Sequence, residues 1–219
     1  VAGGVSTFKI ALWNGAAWGA MGSGKGMSGY VYALAAVGTD LFAGGSFTGA
    51  GGVPAECKGI ARWDGSAWNP LSTGLAGTVY SLAAYAGSLI AGGGFYETGD
   101  GESVVNTIAR WDGSAWSPLG DGMDTYVYAL AIYDNALIAA GGFNQAGGST
   151  ARRIARWDGS SWSMLGTGMT GGVIYSLAIY NGELIAGGDF ATAGGSAAAG
   201  IARWNGVSWS TLGTGMDGA

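Results

Sequence analysis

Acidic side chains are the first residues in this chain that could do chemistry. The segment Phe95-Tyr96-Glu97-Thr98-Gly99-Asp100-Gly101-Glu102-Ser103 holds three carboxylates, and Asp121 and Asp124 follow in the next loop. Calcium takes roughly six to eight hard oxygen ligands, so Glu97, Asp100 and Glu102 are candidate calcium ligands. Their spacing matches no EF-hand loop, and solvated loop charge is the favoured reading. Arg152-Arg153 and the loop Glu56-Cys57-Lys58 are further irregular spots. Tyr96, Asp121, Asp124, Arg152 and Arg153 are therefore the candidates for a binding face.

The remaining inventory argues against catalysis. The chain has no His, which removes the commonest general base and neutral metal ligand together. Its single cysteine, Cys57, excludes an internal disulfide and any multi-cysteine metal site. No base stands ready to activate that thiol, so a passive role is expected. There is no phosphate loop and no nucleotide motif. Paired-carboxylate glycosidase chemistry is the one enzymatic class the residue types leave open. The expectation is a non-enzyme with no catalytic residue, no cofactor and no metal centre. Charged residues make up 11% of the chain and the net charge is −5, which speaks against nucleic acid as a partner. No apolar run approaches the roughly 20 residues of a bilayer span, so no membrane insertion is expected.

The elements that would carry these loops are repeats. The phrase Trp63-Asp64-Gly65-Ser66-Ala67-Trp68 recurs from Trp13, Trp111, Trp157 and Trp204, at intervals of 46 to 50 residues. Asp-Gly or Asn-Gly between β-formers predicts a hairpin, with positive φ at both central residues of a type I′ turn. A two-residue turn places Trp63 and Trp68 diagonally on one face. A four-residue loop places them directly opposite, on the same face again. Arg62, in the strand Ile60-Ala61-Arg62-Trp63, points the other way. A second hairpin follows in each unit, as in Val79 to Tyr85, a turn at Ala86-Gly87-Ser88, and Leu89 to Gly93. Both its strands are small and apolar, which predicts cover on both faces. High glycine (46 residues) with ten Trp and ten Tyr fits short strands joined by tight turns.

Four strands per repeat, Gly-Gly at 44–45, 92–93, 141–142 and 187–188, an aromatic before a turn, then Trp, resemble the kelch-type blade. The pattern is also similar to WDG-type repeats of bacterial surface proteins and of fungal cortical polarity-marker proteins. The resemblance spans the chain and implies an all-β, β-propeller fold of four-stranded antiparallel blades, in one domain over 1–219. By analogy the strand from Val79 is innermost and Trp68 opens the outermost. Blades are expected at 30–71, 78–119, 126–165 and 173–212, with an N-terminal half-blade at 1–21. The chain opens mid-repeat, so a piece of something longer or a processed form is expected. Kelch-type copper oxidases need His ligands, which are missing here. This fold hosts many functions, so the resemblance names none.

The pairs Trp13/Trp18, Trp63/Trp68, Trp111/Trp116, Trp157/Trp162 and Trp204/Trp209 could stack sugars, but five alike copies favour packing between neighbouring sheets. Arg62, Arg110, Arg156 and Arg203 could bind an anion; structural pairing within or between blades is preferred, the turn Asp two residues on being one candidate partner. Leu12 stands in the first copy. Specificity is expected in the loops between second and third strands, which differ in sequence, and between fourth and first strands, which by analogy share one face with them. An incomplete blade leaves strand edges that invite another chain. The sequence thus points to a structural or interaction module, extracellular or at the cell surface. Its partner is a protein or the chain itself, as a homo-oligomer formed by blade completion. The alternative is a lectin-like module that binds glycans.

Overall fold

The protein is described from a computed structural model, which describes residues 2, 4, 6–22, 26–52 and 57–216. The chain is all-β, with no helix among the described residues. An N-terminal hairpin pairs Leu12–Trp13 with Trp18–Gly19. Four antiparallel sheets follow, each laid down strand beside strand in chain order. The first comprises Tyr30–Val37, Asp40–Ser46, Ile60–Trp63 and Trp68–Pro70. The second comprises Leu75–Tyr85, Ser88–Thr98, Ile108–Trp111 and Trp116–Pro118. The third comprises Val127–Tyr133, Ala136–Gly141, Ile154–Trp157 and Trp162–Met164. The fourth comprises Ile174–Tyr180, Glu183–Gly188, Ile201–Trp204 and Trp209–Thr211. The expected strand tail before the first hairpin falls partly on residues 1, 3 and 5, outside the described residues.

Two compact units result, Val1–Val105 with Ala109–Ser117, and Asn106–Ile108 with Pro118–Ala219. In the first unit, Ile10, Met21, Met27, Phe47, Cys57 and Trp68 form one buried cluster. Phe42, Ile60, Leu75, Val79, Leu82 and Phe95 form another, between the first and second sheets. In the second unit, Ile138, Ile154, Ile174, Leu184, Phe190 and Trp204 join the third and fourth sheets.

The turn after the first and second strands is the two-residue type: Tyr133 pairs with Ala136, and Asp134 and Asn135 have φ of 49° and 57°. The Asp-Gly turn is not. Trp63 pairs directly with Trp68, so four residues form the loop, and only Gly65 among them has positive φ, at 99°. The carboxylate explains the difference. Asp64 Oδ1 accepts from the Ser66 and Ala67 amides, both at 2.9 Å, and closes the wider loop.

Every first strand carries a bulge at one place. Pairing jumps from Val31↔Gly45 to Ala33↔Gly44, from Val79↔Gly93 to Ser81↔Gly92, from Val127↔Gly141 to Ala129↔Ala140, and from Ile174↔Gly188 to Ser176↔Gly187. The extra residue is a tyrosine each time: Tyr32, Tyr80, Tyr128 and Tyr175. The bulge explains the recurrent glycine opposite it. A Cβ on Gly45 would lie 1.9 Å from the Tyr30 carbonyl oxygen, and one on Gly141 would lie 2.0 Å from that of Tyr126. The second strand Ala136–Gly141 is buried on both faces, whereas Glu183–Gly188 is half-buried along much of its length. The first strands are more open, and Tyr30–Val37 alternates exposed and half-buried residues.

Candidate functional site

The tryptophan pairs are a joint between neighbouring sheets. Within each pair the ring centroids lie 5.2 to 5.5 Å apart. The second indole then reaches the preceding sheet. Trp116 Nε1 donates to the Leu71 carbonyl at 3.2 Å, Trp162 to Leu119 at 2.8 Å and Trp209 to Leu165 at 3.0 Å. The glycines after Leu119 and Leu165 lie against the indoles. A Cβ on Gly120 would stand 3.1 Å from the Trp157 ring, and one on Gly166 would stand 2.7 Å from that of Trp204. Packing between sheets is thus what Trp111/Trp116, Trp157/Trp162 and Trp204/Trp209 do. Trp63/Trp68 packs likewise over Gly22, although the buried Trp68 Nε1 has no partner among the described residues. The first pair differs. Trp13 is 49% exposed and Trp18 45%, whereas Trp68, Trp116, Trp162 and Trp209 are 4–7% exposed.

The arginines pair along the sheet, not with the turn aspartate. Arg62 bridges Asp40 at 3.2 Å, Arg203 bridges Glu183 at 3.3 Å, and Arg110 Nε donates to Ser88 Oγ at 3.0 Å. The partner is the first residue of the second strand in every case. In the third sheet that position is Ala136, and Arg156 lines a small cavity with Asp134, Ser163 and Trp204. The turn aspartates are held by the loop itself. The Ala67 and Ser66 amides, the Ser66 hydroxyl and the Asn69 amide hold Asp64 well below the usual carboxylate range. The Ser161 and Ser160 amides and serine hydroxyls do the same for Asp158. The Ala115 and Ser114 amides and the Ser114 hydroxyl lower Asp112 to about 2.

The loop candidates are mostly structural. Asp100 accepts from the Thr98 hydroxyl, the Glu102 amide and the Thr73 hydroxyl, which lower its pKa and fold the loop on itself. Tyr96, Glu97 and Glu102 are exposed. Among the described residues no three of Cys, Asp and Glu converge on a point that could hold a metal ion, so Glu97, Asp100 and Glu102 form no cage. Asp124 Oδ1 accepts from the Asn144 and Gln145 amides, and the Asp121 carbonyl accepts from Asn106 Nδ2. Arg152 and Arg153 form a turn with φ of 44° and 77°. Arg153 donates to the Gly172 and Gly142 carbonyls and to Asn144 Oδ1, at 2.7, 2.8 and 2.6 Å. Cys57 is buried in the first unit's core, Lys58 Nζ donates to the Gly99 carbonyl, and Glu56 lies outside the described residues.

The loops between second and third strands are also more alike than their sequences suggest. Ala146-Gly147-Gly148 and Ala193-Gly194-Gly195 make the same tight hairpin turn, with both glycines at positive φ, and Gly51-Gly52 has the same φ signs. Only the Phe95–Ser103 loop departs from this plan.

What the sequence reading passed over is the bulge tyrosines. In the first unit, Tyr32 lies 6.2 Å from Tyr30 and 5.8 Å from Tyr80, with the Lys9 ammonium 4.2 Å from the Tyr30 ring centroid. In the second unit, Tyr128 lies 6.2 Å from Tyr126 and 5.5 Å from Tyr175, whose hydroxyl reaches Asp189 Oδ2 at 3.4 Å. The recurrence of Val-Tyr or Ile-Tyr at the head of each first strand was the available signal.

No family model matches the chain, and no curated protein matches it. Solved structures do. The extracellular domain of the putative hybrid two-component system BT4673 from B. thetaiotaomicron aligns at 16% identity with a TM-score of 0.52. The alignment covers 83% of this chain but 22% of that one. Two computationally designed proteins also align. Ika4 does so at 17% identity and TM-score 0.47, over 82% of this chain and 92% of its own. Ika8 does so at 16% and 0.44, over 82% and 48%. At such identities the likeness concerns the fold, an all-β array of antiparallel sheets.

Proposed function

We propose that this chain is a non-catalytic interaction module of an extracellular protein, built as a kelch-like β-propeller of four blades and an N-terminal half-blade. In this reading the sheets are blades and the tyrosine-bearing first strands are innermost. One observation carries the reading. Five copies of a tryptophan pair share one geometry, four are consumed in packing, and the pair Trp13/Trp18 is left facing solvent. An exposed aromatic pair is the side-chain chemistry that contact surfaces favour. The likeness to an extracellular domain supports the placement outside the cell. The turn aspartates and Arg62, Arg110 and Arg203, which could have done chemistry, are committed to holding turns and sheets. The test is turnover. Incubated with nitrophenyl glycosides, phosphate esters and peptides, the chain is expected to release nothing above buffer. Turnover that survives repurification and disappears when one exposed carboxylate is replaced would overturn the reading.

A lectin-like role is the second reading, favoured by the exposed rings of Tyr30 and Tyr32 in the first unit and, in the second, by exposed Tyr175, whose hydroxyl lies beside Asp189. A glycan array decides it. Signal lost in Tyr32→Ala or Tyr175→Ala supports saccharide binding, and a blank array removes it.

A further inference from the structure

The third-strand arginines share one register. Arg62 lies opposite Phe42, Arg156 opposite Ile138 and Arg203 opposite Ile185. The residue two places back on the second strand shares the arginine's face, and it is Asp40, Ala136 and Glu183 respectively. Asp40 and Glu183 put a carboxylate on the guanidinium, and Ser88 puts a hydroxyl on that of Arg110. Ala136 has only a methyl to offer, and the Arg156 guanidinium has no hydrogen bond or ion pair among the described residues. The space beside it stays open. A cavity of about 290 Å³ between the third and fourth sheets, both in the second unit, is lined by Arg156, Tyr133, Asp134, Ser163 and Trp204. Gly206 also lines it and leaves the Tyr133 hydroxyl accessible, since a Cβ there would already stand 3.6 Å from that oxygen.

We propose that this cavity binds a sugar acid, with the ligand's carboxylate on Arg156 in the place that Asp40 and Glu183 take in their own sheets. The guanidinium fork matches a carboxylate, and two of its three copies in this chain already hold one. Asp134 on the same wall selects against phosphate, because its charge opposes a second negative charge on the ligand. It also asks for a ligand that donates, and ring hydroxyls donate to a carboxylate. The Tyr133 and Ser163 hydroxyls add two groups that both donate and accept, and Trp204 supplies an apolar wall. The volume lies at the small end of ligand sites, which begin at roughly 300 Å³, so one ring fits and a chain does not. The proposal goes beyond the interaction-module reading and uses none of the bulge tyrosines of the lectin-like one.

Isothermal titration of the whole chain with glucuronate, glucose, acetate and phosphate at low salt tests it. Glucuronate is expected to bind with a Kd of about 1 mM or tighter, and the other three at least about tenfold more weakly. Arg156→Met keeps the aliphatic stem, removes the guanidinium and is expected to weaken glucuronate at least about tenfold. Ala136→Asp supplies the carboxylate from within the chain, as Asp40 does for Arg62. It is expected to weaken glucuronate as much while the unfolding temperature holds or rises, so the loss is not one of folding. Arg203→Met, which removes an arginine that is already paired, is expected to leave the titration unchanged. A wild type that takes up no glucuronate overturns the proposal. So does binding that survives both Arg156→Met and Ala136→Asp, or phosphate, acetate or glucose bound as tightly as glucuronate. Binding and turnover are read separately: a blank titration leaves the interaction-module reading standing, and turnover removes that reading alone.

Discussion

Replacing Trp68 and Trp116 by phenylalanine, one at a time, separates two contributions that the repeats otherwise confound. Both indoles are buried, at 4% and 7% exposure, in the same unit and on the same strand of successive sheets. Both variants lose the same part of a ring, and that packing cost cancels in the comparison. Trp116 also loses its bond to the Leu71 carbonyl, worth about 1 kcal/mol net. That carbonyl is not orphaned, because the Gly74 amide still donates to it at 3.0 Å. Trp68→Phe instead removes a buried N–H that has no acceptor among the described residues, relieving a desolvation cost of about 1–3 kcal/mol. Trp116→Phe is therefore expected to be less stable than Trp68→Phe by about 2–4 kcal/mol. For a chain of this size that is about 4–16 °C in Tm. Thermal and urea unfolding followed by circular dichroism read the difference, and Trp162→Phe and Trp209→Phe should fall with Trp116→Phe. Equal costs at positions 68 and 116 would refute the reasoning that the indole bond, rather than ring packing alone, distinguishes these joints.

Gly141→Ala places a methyl against the Tyr126 carbonyl and is expected to cost about 3 kcal/mol in urea unfolding, enough to move the backbone. Arg153→Met removes three hydrogen bonds from one guanidinium and is expected to cost about 2 kcal/mol, measured the same way. The turn carboxylates of Asp64, Asp112 and Asp158 titrate below their unfolded value of about 3.9, so their stabilisation is present above that pH. It is lost as pH falls through the folded values, about 2 for Asp112. Asn14 and Asn205 make the same turn without a titrating group, so a variant with asparagine at 64, 112 and 158 should fold at neutral pH and show a flatter stability curve between pH 4 and 2. Parallel acid curves for variant and wild type would contradict that assignment.

The repeat was legible because Trp-Asp-Gly and Gly-Gly are demanded by backbone geometry. A turn closed by a carboxylate and a glycine opposite a bulge tolerate few substitutes, so their recurrence marks each repeat in the sequence. What depends on register was not legible. Whether Arg62 meets Asp64 or Asp40 turns on which residues face each other across strands, and periodicity does not supply that. The bulge hid the tyrosines for the same reason. One inserted residue reverses the facing of those around it, so Tyr32 and Tyr175 read as members of an apolar strand. The likeness of the Ala-Gly-Gly loops was masked by their variable flanks at Gln145, Thr192 and Gly49. The carboxylates of the Phe95–Ser103 loop looked like ligands because composition cannot show that Asp100 is already spent on Thr98, Glu102 and Thr73.

The central claim is that one tryptophan pair is a contact surface while its copies are structural joints. Radical footprinting of the dilute chain, with oxidation read at each tryptophan by mass spectrometry, tests it most directly. The account expects Trp13 and Trp18 to oxidise first, at rates about tenfold above Trp68, Trp116, Trp162 and Trp209, following their exposures. Uniform oxidation of the five pairs, or early oxidation of Trp162 and Trp209, would contradict it.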